Sequence, residues 1–285
     1  MKADIVTTPK EWDRLCDLSQ APLSQRWLYG AAAKRLGRNV RRLAIYDDGI
    51  CVGTVQMINR TITGVEFNLA TRGPCFLTEG NHGLVLKCIK RALPALSLTI
   101  LTPAQKIRGF PLSRAVTLCD IDLALPTDIL RQNMHVKWRN GLKKAEKART
   151  KVAQITTMPA ALMPLLQAEK KRQSTAKYHA IPPEFTLALQ EVAPKSLRLF
   201  TATDAQMLFI THGNSATYHI GHTGPEGRAH NAHNLILWHA MQALKNEGIT
   251  RLDLGTIDQG RAPDLARFKL RSGARRVQIP PASLL

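Results

Sequence analysis

The chain has 285 residues, 44% of them apolar, enough to bury a substantial core and too many for a disordered protein. Forty Lys and Arg against 21 Asp and Glu give a formal charge of +19, a surplus that points to a polyanionic partner or an anionic membrane face. No apolar run approaches the ~18 residues of a membrane span, the N-terminus does not read as a signal peptide, and Cys16, Cys51, Cys75, Cys88 and Cys119 stand singly. That spacing favours reduced thiols and a cytoplasmic location over disulfides or a zinc site.

In chain order, "EWDRLCDL" and "APLSQRWLYGAAAKRLG" read as two short helices around a polar linker. The stretch from Val40 to Ala70 alternates, with Asp48-Gly49 fitting a two-residue hairpin turn and Thr63-Gly64 a second reversal, so a β-meander is expected. "HGLVLKCIKRAL" has helical spacing and "SLTILTP" is a short buried strand. The pattern then restarts. "LCDIDLAL" is a strand, and Pro126 opens one long helix through "ILRQNMHVKWRNGLKKAEKA". "KVAQITT" is a strand, "PALMPLLQAEKKRQSTAK" is helical after Pro164, and "PPEFTLALQEVA" is another helix. Three strands follow in "LRLFTATD", "QMLFITHG" and "SATYHIGHTG". The nearly all-apolar helix "NAHNLILWHAMQALKNEG" stops at Gly248, and "ITRLDLGTI" is the strand after it. The similar order of elements in the two halves suggests a structural duplication.

Basic residues cluster twice. Seven of the 15 residues from Lys137 to Lys151 are Lys or Arg, as are six of the 16 from Arg261 to Arg276. Lys137, Lys144 and Lys151 recur every seven residues with Lys147 beside them, while Trp138, Leu142 and Ala145 form a packing face. Only Glu146 interrupts the bases, which favours a phosphate-binding stripe over a merely solvated helix face.

Two motifs invite over-reading. His219-Ile220-Gly221-His222 spells the ATP-handling signature of class I aminoacyl-tRNA synthetases, yet it lies within a strand, late in the chain, with no companion phosphate loop. Its two histidines also point to opposite faces of that strand. His219, His222, His230 and His233 lie within 15 residues, but zinc needs convergent ligands and oriented partners. Neither reading is adopted, and no metal is expected.

Strand "SATYHIGHTG", loop "PEGRAH", a long helix and strand "RLDLGTI" together resemble the cofactor site of GNAT-type acyltransferases. In that fold an Arg/Gln-x-x-Gly-x-Gly/Ala loop offers free N–H groups to the CoA pyrophosphate. Here Arg228 is kept, while Asn231 and His233 fill both glycine positions. The fold signal survives and the CoA signal is degraded.

Over its full length the chain resembles the FemABX family of tandem-GNAT aminoacyltransferases, which transfer amino acids from tRNA in peptidoglycan bridge synthesis, and their bacterial relatives. The matching segments are "QRWLYG" (25–30), "TRGPCF" (71–76), "DID" (120–122), "KWRNGLKKAEK" (137–147), "EGITRLDLGTID" (247–258) and "LARFKLRSGA" (265–274). The resemblance implies an α/β fold of two GNAT-like halves with mixed sheets flanked by helices. The halves are residues 1–119, onto which 276–285 packs back, and 120–275, which carries the transferase cleft. The coiled-coil arm of some members has no counterpart here.

The implied reaction moves an aminoacyl group from aminoacyl-tRNA to an amine acceptor, with no bound cofactor and no stable protein partner. It places the "FK" step, Phe268 and Lys269, at the reaction centre. The substrate-binding set is Lys137, Arg139, Lys143, Lys144, Lys147, Arg228, Asn231 and Arg271. The alternatives are an N-acyltransferase using acyl-CoA or an acyl carrier protein, and a non-catalytic nucleic-acid or membrane-surface binder on the same scaffold. The charge also fits transient association with an anionic membrane.

Overall fold

The computed structural model describes residues 1–148, 150–176 and 181–285, so the expectations for Arg149 and Lys177 lie outside the described residues. The chain divides into two compact units, Met1–Val116 with Gln278–Leu285, and Thr117–Val277.

The first unit opens with strand β1 (Lys2–Ile5) and helices α1 (Pro9–Leu18) and α2 (Trp27–Arg35). The meander follows as β2 (Asn39–Asp47), β3 (Ile50–Ile62) and β4 (Val65–Ala70). Asp48, Gly49, Thr63 and Gly64 all have positive φ, the mirror-image turn geometry that matches the twist of paired strands. After β5 (Cys75–Phe76) come α3 (His82–Arg91), β6 (Ser97–Leu101) and β7 (Phe110–Pro111).

The second unit begins with β8 (Val116–Asp122), α4 (Thr127–Gln132), α5 (Val136–Lys147), β9 (Ala153–Ile155), α6 (Pro159–Ala176) and α7 (Pro183–Val192). Strands β10 (Leu197–Ala202), β11 (Ala205–His212) and β12 (Ser215–Thr223) then precede α8 (Pro225–Ala229) and α9 (Ala232–Asn246). β13 (Arg251–Thr256), α10 (Pro263–Arg271) and β14 (Arg275–Ile279) complete it, and β15 (Ser283–Leu284) returns to the first unit.

One sheet has eight strands, ordered β1-β2-β3-β4-β6-β15-β7 with β5 on β3. The other has seven, ordered β14-β8-β13-β12-β11-β10-β9. Each contains a parallel pair joined through a helix, β4 with β6 across α3 and β12 with β13 across α9. Both sheets are therefore mixed, and both units carry the same strand–helix–strand crossover.

Two segments singled out in the sequence meet inside the first unit. Gln25 accepts from the Gln56 N–H at 2.7 Å and donates to the Thr71 carbonyl at 2.8 Å. A Cβ on Gly73 would fall 2.5 Å from the Gln25 amide, so "TRGPCF" needs its glycine for "QRWLYG" to seat. In the second unit Asp120, 2% exposed, accepts from Arg251 Nε at 2.9 Å and Arg275 Nε at 2.7 Å. That carboxylate ties β8 to β13 and β14.

Three sequence expectations are corrected. The long helix after Pro126 is two helices. His135 is extended, with φ −60° and ψ 143°, and its ring accepts from the Lys137 N–H as a cap. Its own N–H is drawn to the Arg271 carbonyl at 3.0 Å. Lys151 falls beyond the end of α5, so the seven-residue repeat stops at Lys144, with Lys147 beside it as the last residue of the helix. Helix α6 starts at Pro159 and continues through Pro164, whose missing N–H removes one bond without ending the helix.

A candidate acyl-transfer cleft in the second unit

Helix α9 buries Leu235, Ile236, Leu237, Trp238, Ala240, Met241 and Leu244, which fixes its N-terminus at the ends of β12 and α8. Asn231, the residue ahead of α9, sits in the left-handed region at φ 54° and ψ 37°. This is the backbone shape glycine ordinarily supplies, and Asn tolerates it better than other residues do. The Asn231 side chain packs toward α5, where a Cβ on Gly141 would lie 3.2 Å from its Oδ1. Gly141 thus lets α5 approach the start of α9 closely. Asp204, in the β10–β11 turn, accepts from the Glu226 N–H at 3.2 Å and from the Gly227 N–H, so the α8 terminus is already capped.

Strands β12 and β13 pair only through Ser215–Arg251, Ala216–Leu252 and Thr217–Asp253. Past that point β12 continues without a β13 partner, and a cleft of about 880 Å³ lies alongside it. Tyr218, Gly221, His222 and Thr223 of β12 form one wall, and Lys171, Arg172 and Thr175 of α6 another. Gly227, Arg228, Asn231, His233 and Asn234 line the α8–α9 end, and Asp264, Leu265 and Phe268 come from α10.

Lys269 is buried, 6% exposed. Its Nζ donates to the Thr256 carbonyl at 3.0 Å, at the end of β13, and lies 5.7 Å from the centre of the Tyr218 ring. Burial lowers its pKa below the ordinary 10.5, with Cys119 and Asp253 opposing and Arg172 assisting. The arrangement is a nearly dry cation beside the splayed strands. Phe268 faces the cleft and packs against Trp138 and His233, with ring centres 5.9 and 6.1 Å away.

The predicted residues separate into three groups. Phe268, Arg228 and Asn231 line the cleft, and Lys269 lies beside it against Tyr218. Lys137, Lys143, Lys144 and Lys147 are exposed on α5, and Arg139 donates to the Gln132 carbonyl at 2.9 Å. Glu146 is held by both Nη atoms of Arg131, at 2.9 and 2.7 Å, which removes the one acid from the stripe. Arg271 instead borders a separate depression with Gln259, Pro263 and Arg267.

The histidines disperse. His219 is the extra residue of a β-bulge, since Phe209 pairs with Tyr218 and Leu208 with Ile220. Its Nε2 is 2.8 Å from Thr186 Oγ1, and burial lowers its pKa to about 4 against the pull of Glu169. His222 lines the cleft, and its carbonyl accepts from His233 Nε2 at 2.7 Å. Burial also lowers the pKa of His233. His230 is exposed. Nothing in this placement resembles a paired phosphate clamp.

Sequence reasoning assigned no role to Tyr218, Lys171, Arg172 or Asn234. The basic pair on α6 was visible as letters, but only the fold turns it toward β12. Arg172 also bonds Glu169, a carboxylate that is 4% exposed.

Residues 131–270 match the model of an acetyltransferase (GNAT) domain, and this stretch lies within the second unit. No curated protein matches the chain. Among solved structures it is similar to FemX, at 13% identity and a TM-score of 0.80, covering 100% of this chain and 97% of that one. It is also similar to a tandem GNAT protein from the clavulanic acid biosynthesis pathway, at 10% identity and TM-score 0.56, covering 100% and 98%. The C-terminal domain of a putative lysylphosphatidylglycerol synthetase from Agrobacterium fabrum matches at 12% identity and TM-score 0.56, covering 97% and 92%. Among the described residues no helix is long and apolar enough to cross a membrane. The chain has the tandem GNAT fold of FemX-like proteins, with its GNAT domain in the second unit.

Proposed function

We propose that the protein transfers an aminoacyl group from aminoacyl-tRNA to an amine acceptor in the cleft beside β12. The observation that carries this reading is the buried Lys269 ammonium at the end of β13, next to an 880 Å³ cleft whose walls bear Lys171, Arg172 and Arg228. The amine nitrogen attacks the ester carbonyl carbon, a C–N bond forms, and the C–O bond to the terminal ribose breaks. The ribose hydroxyl leaves with the proton released by the amine. Negative charge gathers on the carbonyl oxygen on the way, and a fixed cation in a dry site favours that state. The donor ester travels on the RNA, so no bound cofactor is called for.

Residues in the cleft support the donor assignment over acyl-CoA. The His233 ring is tied to the His222 carbonyl at the mouth of the loop, where the GNAT pattern has a small residue. One observation favours the second reading, an acyl-CoA N-acyltransferase: Asn231 already has the left-handed backbone of the missing glycine. The exposed lysines of α5 supply the phosphate contacts that a tRNA donor needs.

The test pairs two donors. tRNA charged with labelled amino acids, and separately acetyl-CoA, are incubated with the protein and a panel of amines. Amine-dependent loss of label from tRNA supports the proposal. Thiol release from acetyl-CoA with no turnover of charged tRNA overturns it in favour of the second reading.

A further inference from the structure

The sheet face of the first unit that α2 covers at Arg42 and Gln56 is left open across β4, β6, β15 and β7. Residues directly opposite in a ladder share a face, and the register pairs Phe67 with Leu98, Leu69 with Ile100, Ile100 with Leu284, and Leu284 with Phe110. On the other side of the same strands Asn68, Ala70, Thr99 and Leu101 are buried, Ala70 and Leu101 in one cluster with Val85, Leu86 and Ile89 of α3. The outward set is exposed: Phe110 at 71%, and Phe67, Leu69, Leu98 and Ile100 between 36% and 44%. An unbroken apolar row across four strands is uncommon on a soluble protein and marks a docking surface.

Charge selects what docks there. Residues 80–119, which include β6 and β7, hold six Lys and Arg and no Asp or Glu. Lys106, Arg108 and Arg114 are exposed in the segments flanking β7, and Arg60 stands on the same face opposite Phe67. None of these four has a carboxylate partner among the described residues. A second copy of this chain would bring the same bases against them and be repelled. A nucleic acid would satisfy the bases but leave the aromatic and aliphatic row in water. A bilayer of anionic phospholipid meets both halves of the surface, with side chains entering the headgroup–acyl boundary and bases at the phosphates.

We propose that this face of the first unit, from Phe67 to Phe110 with its rim of Arg60, Lys106, Arg108 and Arg114, docks the protein on an anionic phospholipid surface. The proposal is independent of which donor the second unit uses.

The test is co-sedimentation of the full chain with vesicles of phosphatidylcholine plus phosphatidylglycerol, and with vesicles of phosphatidylcholine alone. The wild type should pellet with the mixed vesicles and much less with the neutral ones. The pair Leu98→Ser and Phe110→Ser, both on exposed side chains, should cut the bound fraction at least fivefold and leave the circular dichroism and tRNA affinity unchanged. Lys106→Glu with Arg108→Glu should also release the protein, by roughly fivefold per charge removed. Undiminished pelleting of the Leu98→Ser, Phe110→Ser protein would overturn the proposal, because general basicity would then explain binding. Equal binding to neutral vesicles would overturn it too. So would a lipid-free dimer that these two serines abolish, or a loss of tRNA affinity in the same variant.

Discussion

The Lys269 ammonium lies 3.0 Å from the Thr256 carbonyl oxygen, joining α10 to the last residue of β13. That bond fixes a long, flexible side chain at one point, beside the place where β12 and β13 have stopped pairing. Gly255, next to Thr256, has φ 78°, and a Cβ there would meet Nζ at 3.8 Å. The turn at the end of β13 and the burial of Lys269 are one local arrangement. A carbonyl satisfies only one of the three donors of an ammonium; in the proposed reaction the others would meet the substrate oxygen.

Lys269→Met tests the charge directly, since Met has similar length and no ammonium. The variant should fold, and its transfer rate should fall on the order of a hundredfold if the cation meets the developing oxyanion, a loss of about 3 kcal/mol. A rise in KM with kcat nearly constant would assign the charge to binding a donor phosphate instead. Wild-type values of both would remove Lys269 from the site.

His219 predicts a pH dependence of stability. Its folded pKa, about 4, lies below the ordinary 6.5 because burial disfavours the charged ring. The unfolded chain therefore binds more protons between these values, and stability is full above about pH 6.5 and falls as the pH drops toward 4. The loss from this group reaches at most on the order of 3 kcal/mol. His219→Gln, which can still bond Thr186, should flatten the change in urea midpoint between pH 7 and pH 5. An identical pH dependence in the variant would show that other groups cause it.

The parts of this architecture legible in the sequence are those with local causes. Asp48-Gly49 and Thr63-Gly64 announce their turns because Asp48, Gly49 and Gly64 accept positive φ readily, and Gly64 carries the second turn although Thr63 is β-branched. The buried positions Trp138, Leu142 and Ala145 follow from helical spacing. The break at Asn133–His135 was not legible, because its cause is the Arg271 carbonyl, more than 130 positions away. Tyr218, Lys171 and Arg172 reach one cleft from β12 and α6, and no motif links those segments. The sequence puts Asn231 and His233 at the two glycine positions of the loop; the left-handed backbone of Asn231 makes it a substitute for glycine, leaving His233 as the residue that adds bulk.

That distinction gives an asymmetric prediction for acetyl-CoA. Asn231→Gly should change affinity little, because the backbone already has the required shape. His233→Gly should free the space now bridged to the His222 carbonyl and raise affinity roughly tenfold, the ~1.4 kcal/mol expected when a backbone N–H gains a charged partner. Titration calorimetry measures both. Tight binding by the wild type, abolished by Arg228→Ala, would instead make acyl-CoA the donor.

The α5 stripe gives the sharpest measure of whether RNA is the donor. Lys137, Lys143, Lys144 and Lys147 are exposed, and the single acid among them, Glu146, is already paired with Arg131. A solvated helix face would be balanced by its own carboxylates, and this one is not. If the lysines contact phosphates, each displaces counterions from the RNA, so affinity for tRNA should fall with salt by a log–log slope of about 0.7–0.9 per contact. Lys144→Glu with Lys147→Glu should lower that slope by about 1.4–1.8 and leave the amine-dependent chemistry of bound donor intact, because neither residue lines the cleft. Filter binding across a salt series reads the slope, and single-turnover transfer at saturating protein reads the chemistry. A slope unchanged in the double variant would return these lysines to solvent and shift the donor contacts to the basic residues at the cleft, Lys171, Arg172, Arg228 and Lys269.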